Sequence, residues 1–481
     1  MIPIRRLPFA PPGPPPMASS IEVINMAQKR KPRRSGKANG QEGIPVLNPN
    51  TAGLDIGANE IYAAVPPDRD PEPVKCFGTF TGELHALAAW LHQCGIEAVA
   101  MEATGVYWIP VFQVLEASGL QVCLVNPRYF QNVPGRRTDV SDCQWLQRLH
   151  SAGLLRGSFR PPQAVCALRS LTRYRDNLIQ MASKHILHMQ KALDQMNVQL
   201  HHVLSDITGL SGLAIIDAIL GGARDPKMLA ALRDGRVKAS EETIIQALTG
   251  DYRPEHIFTL KQSLAAYRNC QKLISDCDRE IEARLKDFEG RVDQHANPLP
   301  PPKVRRKKLF SNEPSFDLRS HLYRIFGVDL TAVPGISVLT AHAILSEVGP
   351  DLSKFRSASA FASWLGLCPH NDISGGRILS TKTRRVNNRA ALALRMAAYA
   401  LIRSQSPLGD FFRRMRAKLG APKAITAGAH KLARIVFHML STREAYDDSI
   451  LSRNQMQLRT RAEARLRAQA KALGYSITAI A

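Results

Sequence analysis

The chain has few features that would place it in a membrane or outside a reducing compartment. Its eight cysteines are scattered over 481 residues without a Cys-x-x-Cys pair, so neither a zinc knuckle nor a disulfide framework is indicated. No apolar run reaches the length of a membrane-spanning helix. Prolines also interrupt the first residues, where a signal peptide would need an unbroken apolar stretch. We therefore expect a cytoplasmic protein that does not insert into a membrane.

Acidic residues are scarce relative to basic ones. There are 64 Lys+Arg against 41 Asp+Glu, which gives a formal net charge of +23 and a pI near 10.0. Ribosomal and membrane-surface proteins share such a balance, but a nucleic-acid backbone is the expected partner. The imbalance is concentrated between residues 374 and 440, where 14 Lys+Arg face a single acid, Asp410. Between residues 50 and 160 the count reverses, with 8 Lys+Arg and 11 Asp+Glu.

The length allows two or three domains, and composition divides the chain into six segments. These are a basic, Pro-rich tail expected to be disordered (1–48), an α/β domain (50–162), a helical, coiled-coil region (163–295), a basic, Pro-rich linker (296–318), a mostly α-helical C-terminal domain (319–445) and a basic tail (446–481).

The α/β segment has the pattern of a strand meander followed by alternating helices and strands. Strands are predicted at 53–57, 60–65, 74–80, 96–102 and 121–125, and helices at 82–93, 106–117 and 139–151. Turn-like residues separate the first three strands, which we expect to be antiparallel. This order matches the ribonuclease H/RuvC-like plan.

Four acids of this segment fall where a two-metal phosphoryl-transfer site needs them. Asp55 lies at the end of the first predicted strand and Glu102 at the end of the fourth, while Asp139 and Asp142 are three residues apart at a helix start and project from one face. Mg²⁺ prefers oxygen ligands, and two such ions clamp the attacking and leaving oxygens of a phosphodiester. Taken singly, Asp139 is compatible with a helix cap and Asp55 with a solvated strand end. Together the four indicate a metal-dependent nuclease or transposase that binds two Mg²⁺ ions.

The helical region carries apolar residues at alternating spacings of four and three, as in a coiled coil. Two alternatives remain open from the pattern, namely two helices packed within one chain or a seam between chains. The first seam runs through Ala182, Ile186, Met189, Leu193, Met196, Leu200 and Val203, and the second through Leu260, Leu264, Tyr267, Ile274, Ile281, Leu285 and Phe288.

The C-terminal domain contains two candidate nucleic-acid contacts. Gly335 lies in a Pro-Gly-Ile turn before a predicted helix (338–348), a pattern typical of a helix-hairpin-helix motif whose amides hold a DNA phosphate. The alternative is an ordinary packing turn. Ser374 precedes Gly375 and Gly376, which would allow a close approach to a phosphate. Five basic residues that follow could neutralise phosphate oxygens: Arg377, Lys382, Arg384, Arg385 and Arg389.

A serine hydroxyl is a weak nucleophile and needs a base or a metal ion nearby. The sequence suggests no His/Asp pair close to Ser374, so carboxylate-bound metal ions are the expected activators. The alternative is that Ser-Gly-Gly is a plain loop.

The order of these motifs resembles that of the DEDD transposases of insertion sequences, the IS110 family and its IS1111 branch. The resemblance extends over about residues 50–445. It is carried by Gly53-Leu54-Asp55-Ile56-Gly57, Met101-Glu102-Ala103-Thr104-Gly105-Val106-Tyr107-Trp108, Asn126-Pro127, Thr138-Asp139-x-x-Asp142, Val333-Pro334-Gly335-Ile336 and Gly366-Leu367-x-Pro369 leading to Ser374-Gly375-Gly376.

The resemblance implies a RuvC-like domain in which Asp55, Glu102, Asp139 and Asp142 bind Mg²⁺, and a C-terminal transposase domain in which Ser374 forms a phosphoserine link with DNA. It further implies a bacterial, nucleoid-associated protein that acts on element ends and target DNA. A structured bridge RNA would guide it, and it would work as a dimer or tetramer that combines domains of different subunits. Asn371-Asp372-Ile373 and Asn387-Asn388 depart from the residues common in relatives.

Three functions are compatible with the sequence. The first is a site-specific DNA recombinase that uses metal ions and Ser374. The second is a RuvC-like, metal-dependent, structure-specific DNA endonuclease in which water attacks and Ser374 only contacts DNA. The third is a non-catalytic nucleic-acid scaffold, which the intact set of four carboxylates disfavours.

Overall fold

The computed structural model describes residues 45–103, 105–126, 139–301 and 312–476. The chain divides after Phe159 into two compact units. Most of the tail expected to be disordered, and the basic run of the predicted linker, lie outside the described residues. Within the described residues, no helix combines the length and apolarity needed to cross a bilayer.

The first unit is a mixed sheet with helices, which confirms the predicted α/β class. Its five strands have the order β3-β2-β1-β4-β5, in which β1 pairs antiparallel with β2 and parallel with β4. The strands are β1 (Thr51–Ile56), β2 (Glu60–Ala64), β3 (Val74–Gly78), β4 (Ala98–Glu102) and β5 (Gln121–Val125), and the helices are α1 (Thr81–Gln93), α2 (Trp108–Ala117) and α3 (Asp139–Ser151).

The sheet has an apolar core on both faces because successive side chains of a strand point to opposite sides. On β4, Val99 and Met101 join the larger cluster with Leu87 of α1 and Leu115 of α2. Ala100, between them, packs instead with Leu146 of α3. Helices α1 and α2 therefore cover one face, and α3 covers the other.

Helix α3 lies unusually close to strand β1. A Cβ atom on Gly53 would be 2.3 Å from the Cys143 carbonyl oxygen and 2.3 Å from the Gln147 amide nitrogen. A buried hydrogen bond of 2.8 Å between the hydroxyls of Thr51 and Ser151 joins the two elements at their other end. The absence of a side chain at position 53 therefore determines how near α3 comes to the sheet.

The second unit begins with two long helices, α4 (Gln163–Gln195) and α9 (Pro254–Asp287), which pack along each other within one chain. This agrees with the intrachain alternative for the apolar seams. The first seam is not one helix, however, because α4 ends at Gln195 and Asn197 has a φ of 54°. Four short helices close that end around an apolar cluster: α5 (Leu200–Val203), α6 (Leu210–Leu220), α7 (Pro226–Ala230) and α8 (Glu241–Ala247).

The rest of the second unit is mostly helical, as predicted. Its elements are α10 (Leu318–Phe326), α11 (Val338–Val348), α12 (Ala358–Trp364), the hairpin β6 (Asp372–Ser374) and β7 (Arg377–Ser380), α13 (Arg389–Ala400), α14 (Pro407–Leu419), α15 (Ala421–Thr442) and α16 (Ser449–Ala472). The last of these lies within the segment expected to be a basic tail.

Arginine side chains join α4 to its neighbours through buried or half-buried contacts. Arg175 forms a buried ion pair with Asp278 of α9. Arg173 donates two hydrogen bonds to the Glu347 carboxylate of α11, at 3.0 and 2.8 Å. Arg169 donates to the backbone carbonyls of Ser346 and Glu347, at the C-terminal end of α11. The long helices are thus tied to the helix that follows the Pro-Gly-Ile turn.

We predict that Gly53→Ala destabilises the first unit, because the added methyl group would overlap the α3 backbone and force the helix away from β1. Overpacking of this kind costs about 1–3 kcal/mol, which urea unfolding would measure. Gly82→Ala is the matched control, since no atom lies within 4 Å of the position that its Cβ would take. Equal stability of the two variants would contradict the close approach of α3.

Candidate carboxylate and serine sites

Asp55 and Glu102 lie at adjacent positions on the same edge of the sheet. Leu54 of β1 is in register with Met101 of β4, and each acid is the next residue along its strand. Neighbouring strands are about 4.8 Å apart, and both acids are half-buried. The parallel pairing of β1 with β4 therefore brings together two residues that are 47 positions apart in the sequence.

The third acid, Asp142, approaches this edge on α3. The buried thiol of Cys143 reports the position of this acid, since burial and the charges of Asp55 and Asp142 together raise the pKa of the thiol to about 12. Asp55 and Asp142 thus act on the same thiol from β1 and α3, which places the two carboxylates in one neighbourhood.

Asp139 is described only by its backbone, which begins α3 three residues before Asp142. Within the described side chains, no group of three or more His, Cys, Asp or Glu residues is arranged to hold a metal ion. The chemistry of Asp55, Glu102 and Asp142 nevertheless suits a hard cation, because all three offer carboxylate oxygens. The structure brings the elements that carry these acids to one edge, without a formed ligand shell.

Ser374 is the last residue of β6 and precedes a two-residue turn. It pairs with Arg377 of β7, and both residues are exposed. Gly375 and Gly376 have φ angles of 54° and 77°, and positive values at both central positions are what a type I′ hairpin turn requires. No atom lies within 4 Å of where their Cβ atoms would be. The turn conformation therefore accounts for both glycines without any close approach of the backbone to another group.

One His/Asp contact lies in the segment before Ser374, but it does not supply the base whose absence the sequence predicted. His370 Nδ1 is 3.5 Å from Asp372 Oδ1, and both side chains are exposed. The missed signal is the i, i+2, i+4 spacing of His370, Asp372 and Ser374, which places all three on one side of an extended segment. At roughly 3.3 Å per residue, His370 is about 13 Å from Ser374 along the strand. This is too far for the imidazole to accept the serine proton.

The five basic residues predicted to contact nucleic acid differ in whether their charged groups already bond to the protein. Arg377, Lys382 and Arg385 are exposed. The guanidinium of Arg384 donates to the Ser363 carbonyl at 2.7 Å, and that of Arg389 forms an ion pair with Asp176 of α4 at 2.9 Å. Two of the five guanidinium or ammonium groups are therefore already held by the protein.

Gly335 is required by packing, whatever its role toward a ligand. Its φ is +91°, and a Cβ atom there would lie 2.6 Å from the Ala397 carbonyl oxygen of α13. The Ser337 hydroxyl accepts a hydrogen bond from the Thr340 amide and so caps α11. The turn thus packs against α13 because Gly335 has no side chain.

Comparison with known proteins gives two family matches. Residues 52–198 match the family model DEDD_Tnp_IS110, described as a transposase, and residues 329–413 match that of the transposase IS116/IS110/IS902 family. Over these two segments the chain is similar to transposases of the IS110 family. All the predicted site residues lie within the two matched segments.

A named relative agrees with the family. The chain is 29% identical over 127 residues to "Putative transposase y4pF/y4sB" of Sinorhizobium fredii. The alignment covers 24% of this chain and 32% of the relative, so the chain spans about a third of the length of the curated relative that it matches.

We predict that Gly376→Ala loosens the β6–β7 hairpin, since an L-residue at this positive φ costs about 1–2 kcal/mol. Hydrogen exchange of the His370 amide, which donates to the Lys382 carbonyl at 2.9 Å, would accelerate by about tenfold. Gly375→Asn is the control, because Asn-Gly is favoured in type I′ turns. Unchanged exchange in Gly376→Ala would contradict the turn geometry.

Proposed function

We propose that this chain is the transposase of an insertion sequence and that it cleaves and rejoins DNA. In this proposal Asp55, Glu102, Asp139 and Asp142 hold two Mg²⁺ ions, and Ser374 is the nucleophile. The observation that carries the proposal is the placement of Asp55, Glu102 and Asp142 by β1, β4 and α3 at one edge of the sheet. The strand order β3-β2-β1-β4-β5, with β2 as the antiparallel member, supports a ribonuclease H/RuvC-like domain.

The role of the carboxylates follows from their charge and position. Bound Mg²⁺ ions would supply Lewis acidity toward the attacking and leaving oxygens of a phosphodiester. The acids offer anionic oxygens from two adjacent strand ends and one helix, so their spacing is determined by the sheet register and by the α3–β1 contact. Such placement on rigid elements favours a constant ligand geometry.

The role of Ser374 follows from its exposure at the end of β6. Its Oγ attacks the phosphorus and forms a Ser–O–P bond, while the bond to the leaving deoxyribose oxygen breaks and that oxygen takes a proton. A hydroxyl of the new partner strand then attacks the same phosphorus and releases the serine. The bond energy of the phosphodiester is conserved throughout, so no nucleotide cofactor is needed. Arg377, paired with Ser374 across the hairpin, is positioned to contact a phosphate oxygen.

The partners in this proposal are the element ends and target DNA, a structured guide RNA and further copies of the chain in a dimer or tetramer. The net charge of +23 supports polyanion binding. The similarity of two segments to transposase families supports DNA as the substrate. Helix-hairpin-helix binding of phosphate at Gly335 remains part of the proposal, supported by the positive-φ turn before α11.

One observation favours a second candidate, a RuvC-like, metal-dependent, structure-specific endonuclease. At about 3.3 Å per residue of extended chain, His370, two residues before β6, is roughly 13 Å from Ser374, beyond the reach of a general base. In such an enzyme, water would attack the phosphodiester and no covalent protein–DNA species would form. The two candidates are separated by whether an adduct can be trapped.

We predict that Asp55→Asn, Glu102→Gln, Asp139→Asn and Asp142→Asn each reduce DNA cleavage in Mg²⁺ by about a hundredfold or more, since a lost ligand forfeits several kcal/mol of charge stabilisation. DNA binding measured in EDTA should change little, because no basic side chain is removed. Asp68→Asn, which changes an exposed acid of the same unit, is the control and should cleave normally. A wild-type cleavage rate in any of the four variants would remove that residue from the proposed ligand set.

We predict that Ser374→Ala eliminates both the covalent protein–DNA species and strand exchange, because alanine offers no oxygen to the phosphorus. A suicide substrate whose leaving strand diffuses away would trap the adduct of the wild type for detection in a denaturing gel. Ser380→Ala, in the partner strand of the same hairpin, should keep the adduct. An adduct in Ser374→Ala, or none in the wild type, would favour the water-dependent endonuclease.

A further inference from the structure

Helix α15 presents basic side chains without any acid of its own. Its 22 residues include no Asp or Glu. One face is buried through residues such as Gly428, Leu432 and Val436. Lys431 and Arg434 are three residues apart on the other side, so their side chains are neighbours on the helix surface. Among the described residues, neither forms an ion pair.

Lys431 is held in an unfavourable environment. The side chain is half-buried, and burial together with the charge of Arg434 lowers the pKa of its ammonium group. The pKa of His430 is lowered by burial and by both of these cations. Like charges at this spacing destabilise a helix, and burial without a counter-charge adds to the cost. A basic surface that contacts only water would leave its lysines exposed, whereas Lys431 is half-buried.

Arg384 brings a further positive charge to the same place from the base of the Ser374 hairpin. The half-buried Cys368 thiol lies within electrostatic reach of both Arg384 and Arg434. The Arg384 guanidinium is anchored by its hydrogen bond to the Ser363 carbonyl of α12, and α12 packs against α15 through the rings of Phe361 and Phe437, 6.0 Å apart. Arg384 and Arg434 therefore both lie near Cys368, which precedes β6, and Lys431 is the neighbour of Arg434 on α15.

We propose that Arg384, Lys431 and Arg434 form a binding site for a backbone phosphate of nucleic acid, which we call the α15 cradle. This inference rests on the proposed function for the identity of the polymer and adds the residues that hold it. An anionic oxygen would supply the counter-charge that the described residues do not offer. Arginine and lysine are the side chains that most often bind phosphate.

The α15 cradle is distinct from the phosphate that Ser374 attacks. The hairpin begins where Pro369 bridges Thr383 and continues to Ser374, five residues along. At about 3.3 Å per residue of extended chain, Pro369, the neighbour of Cys368, is roughly 17 Å from Ser374. That distance corresponds to about five base pairs of duplex at 3.4 Å per step. The cradle therefore holds flanking backbone and determines where the nucleic acid lies along the hairpin.

The test uses the full chain in EDTA, so that binding is measured without cleavage. Lys431→Met keeps the apolar stem of the side chain and removes its charge, and Arg434→Gln removes the second charge. Lys418→Gln, an exposed lysine of α14, removes the same charge elsewhere in the unit. Affinity for a DNA duplex and for an RNA duplex of the same sequence would be followed against salt concentration.

We expect Lys431→Met and Arg434→Gln each to lower the slope of log K against log salt by about 1 and to weaken binding roughly eightfold at 0.1 M salt, the effect of losing one phosphate contact. The melting temperature of Lys431→Met should equal or exceed that of the wild type, because the substitution removes a half-buried charge. Lys418→Gln should leave the slope unchanged. A loss with DNA alone identifies DNA as the ligand, a loss with RNA alone identifies the guide RNA, and a loss with both identifies generic backbone binding.

An unchanged slope in Lys431→Met, or an equal loss in Lys418→Gln, would overturn the cradle. The proposed function is tested separately by the Ser374 adduct of the wild type. Weakened binding by Lys431→Met without any wild-type adduct would remove the recombinase and leave the cradle. A wild-type adduct together with unchanged binding by Lys431→Met would support the recombinase and remove the cradle.

Discussion

The contact of α3 with β1 at Gly53 is the constraint on which the carboxylate arrangement depends. With 2.3 Å between a would-be Cβ and the α3 backbone, only glycine lets the helix lie so near the strand. Because Asp55 is two residues beyond Gly53 and Asp142 is next to Cys143, this one approach determines how near the two acids come. Parallel pairing of β1 with β4 places Glu102 alongside. Backbone packing alone thus brings the elements that carry these acids to one edge of the sheet.

In the second unit, ion pairs and charged hydrogen bonds join the helices. The buried ion pair of Arg175 with Asp278 joins the two long helices, and Glu347 receives Arg173 from α4. Removing one partner of the buried Arg175–Asp278 pair would leave a buried charge without a counter-charge, at a cost of about 3–5 kcal/mol. Arg389 adds a link from Asp176 to the start of α13, directly after the basic segment that follows the hairpin. Residues that look like free nucleic-acid contacts in the sequence therefore include some that support the fold.

The hairpin of Ser374 contrasts with both. It is a two-stranded projection whose residues are mostly exposed, stabilised by a short ladder and a glycine turn. In the proposed function this exposure would let a nucleic-acid strand reach Ser374 without entering an enclosed pocket. The proposed phosphate site on α15 would then hold the backbone of the same polymer near the start of the hairpin.

The strands and helices of the first unit could be predicted from the sequence alone, because apolar runs with period two or 3.6 report which local structure can bury them. The same is true of the two long helices and of the positions of the four acids along their elements. Packing of the seams within one chain, and the end of α4 at Gln195, could not be predicted, since periodicity does not say which surface covers an apolar face. The His370–Asp372 contact and the convergence of Arg384 on α15 were likewise decided by folding. Both depend on chain segments that meet in space, whose distances no local pattern encodes.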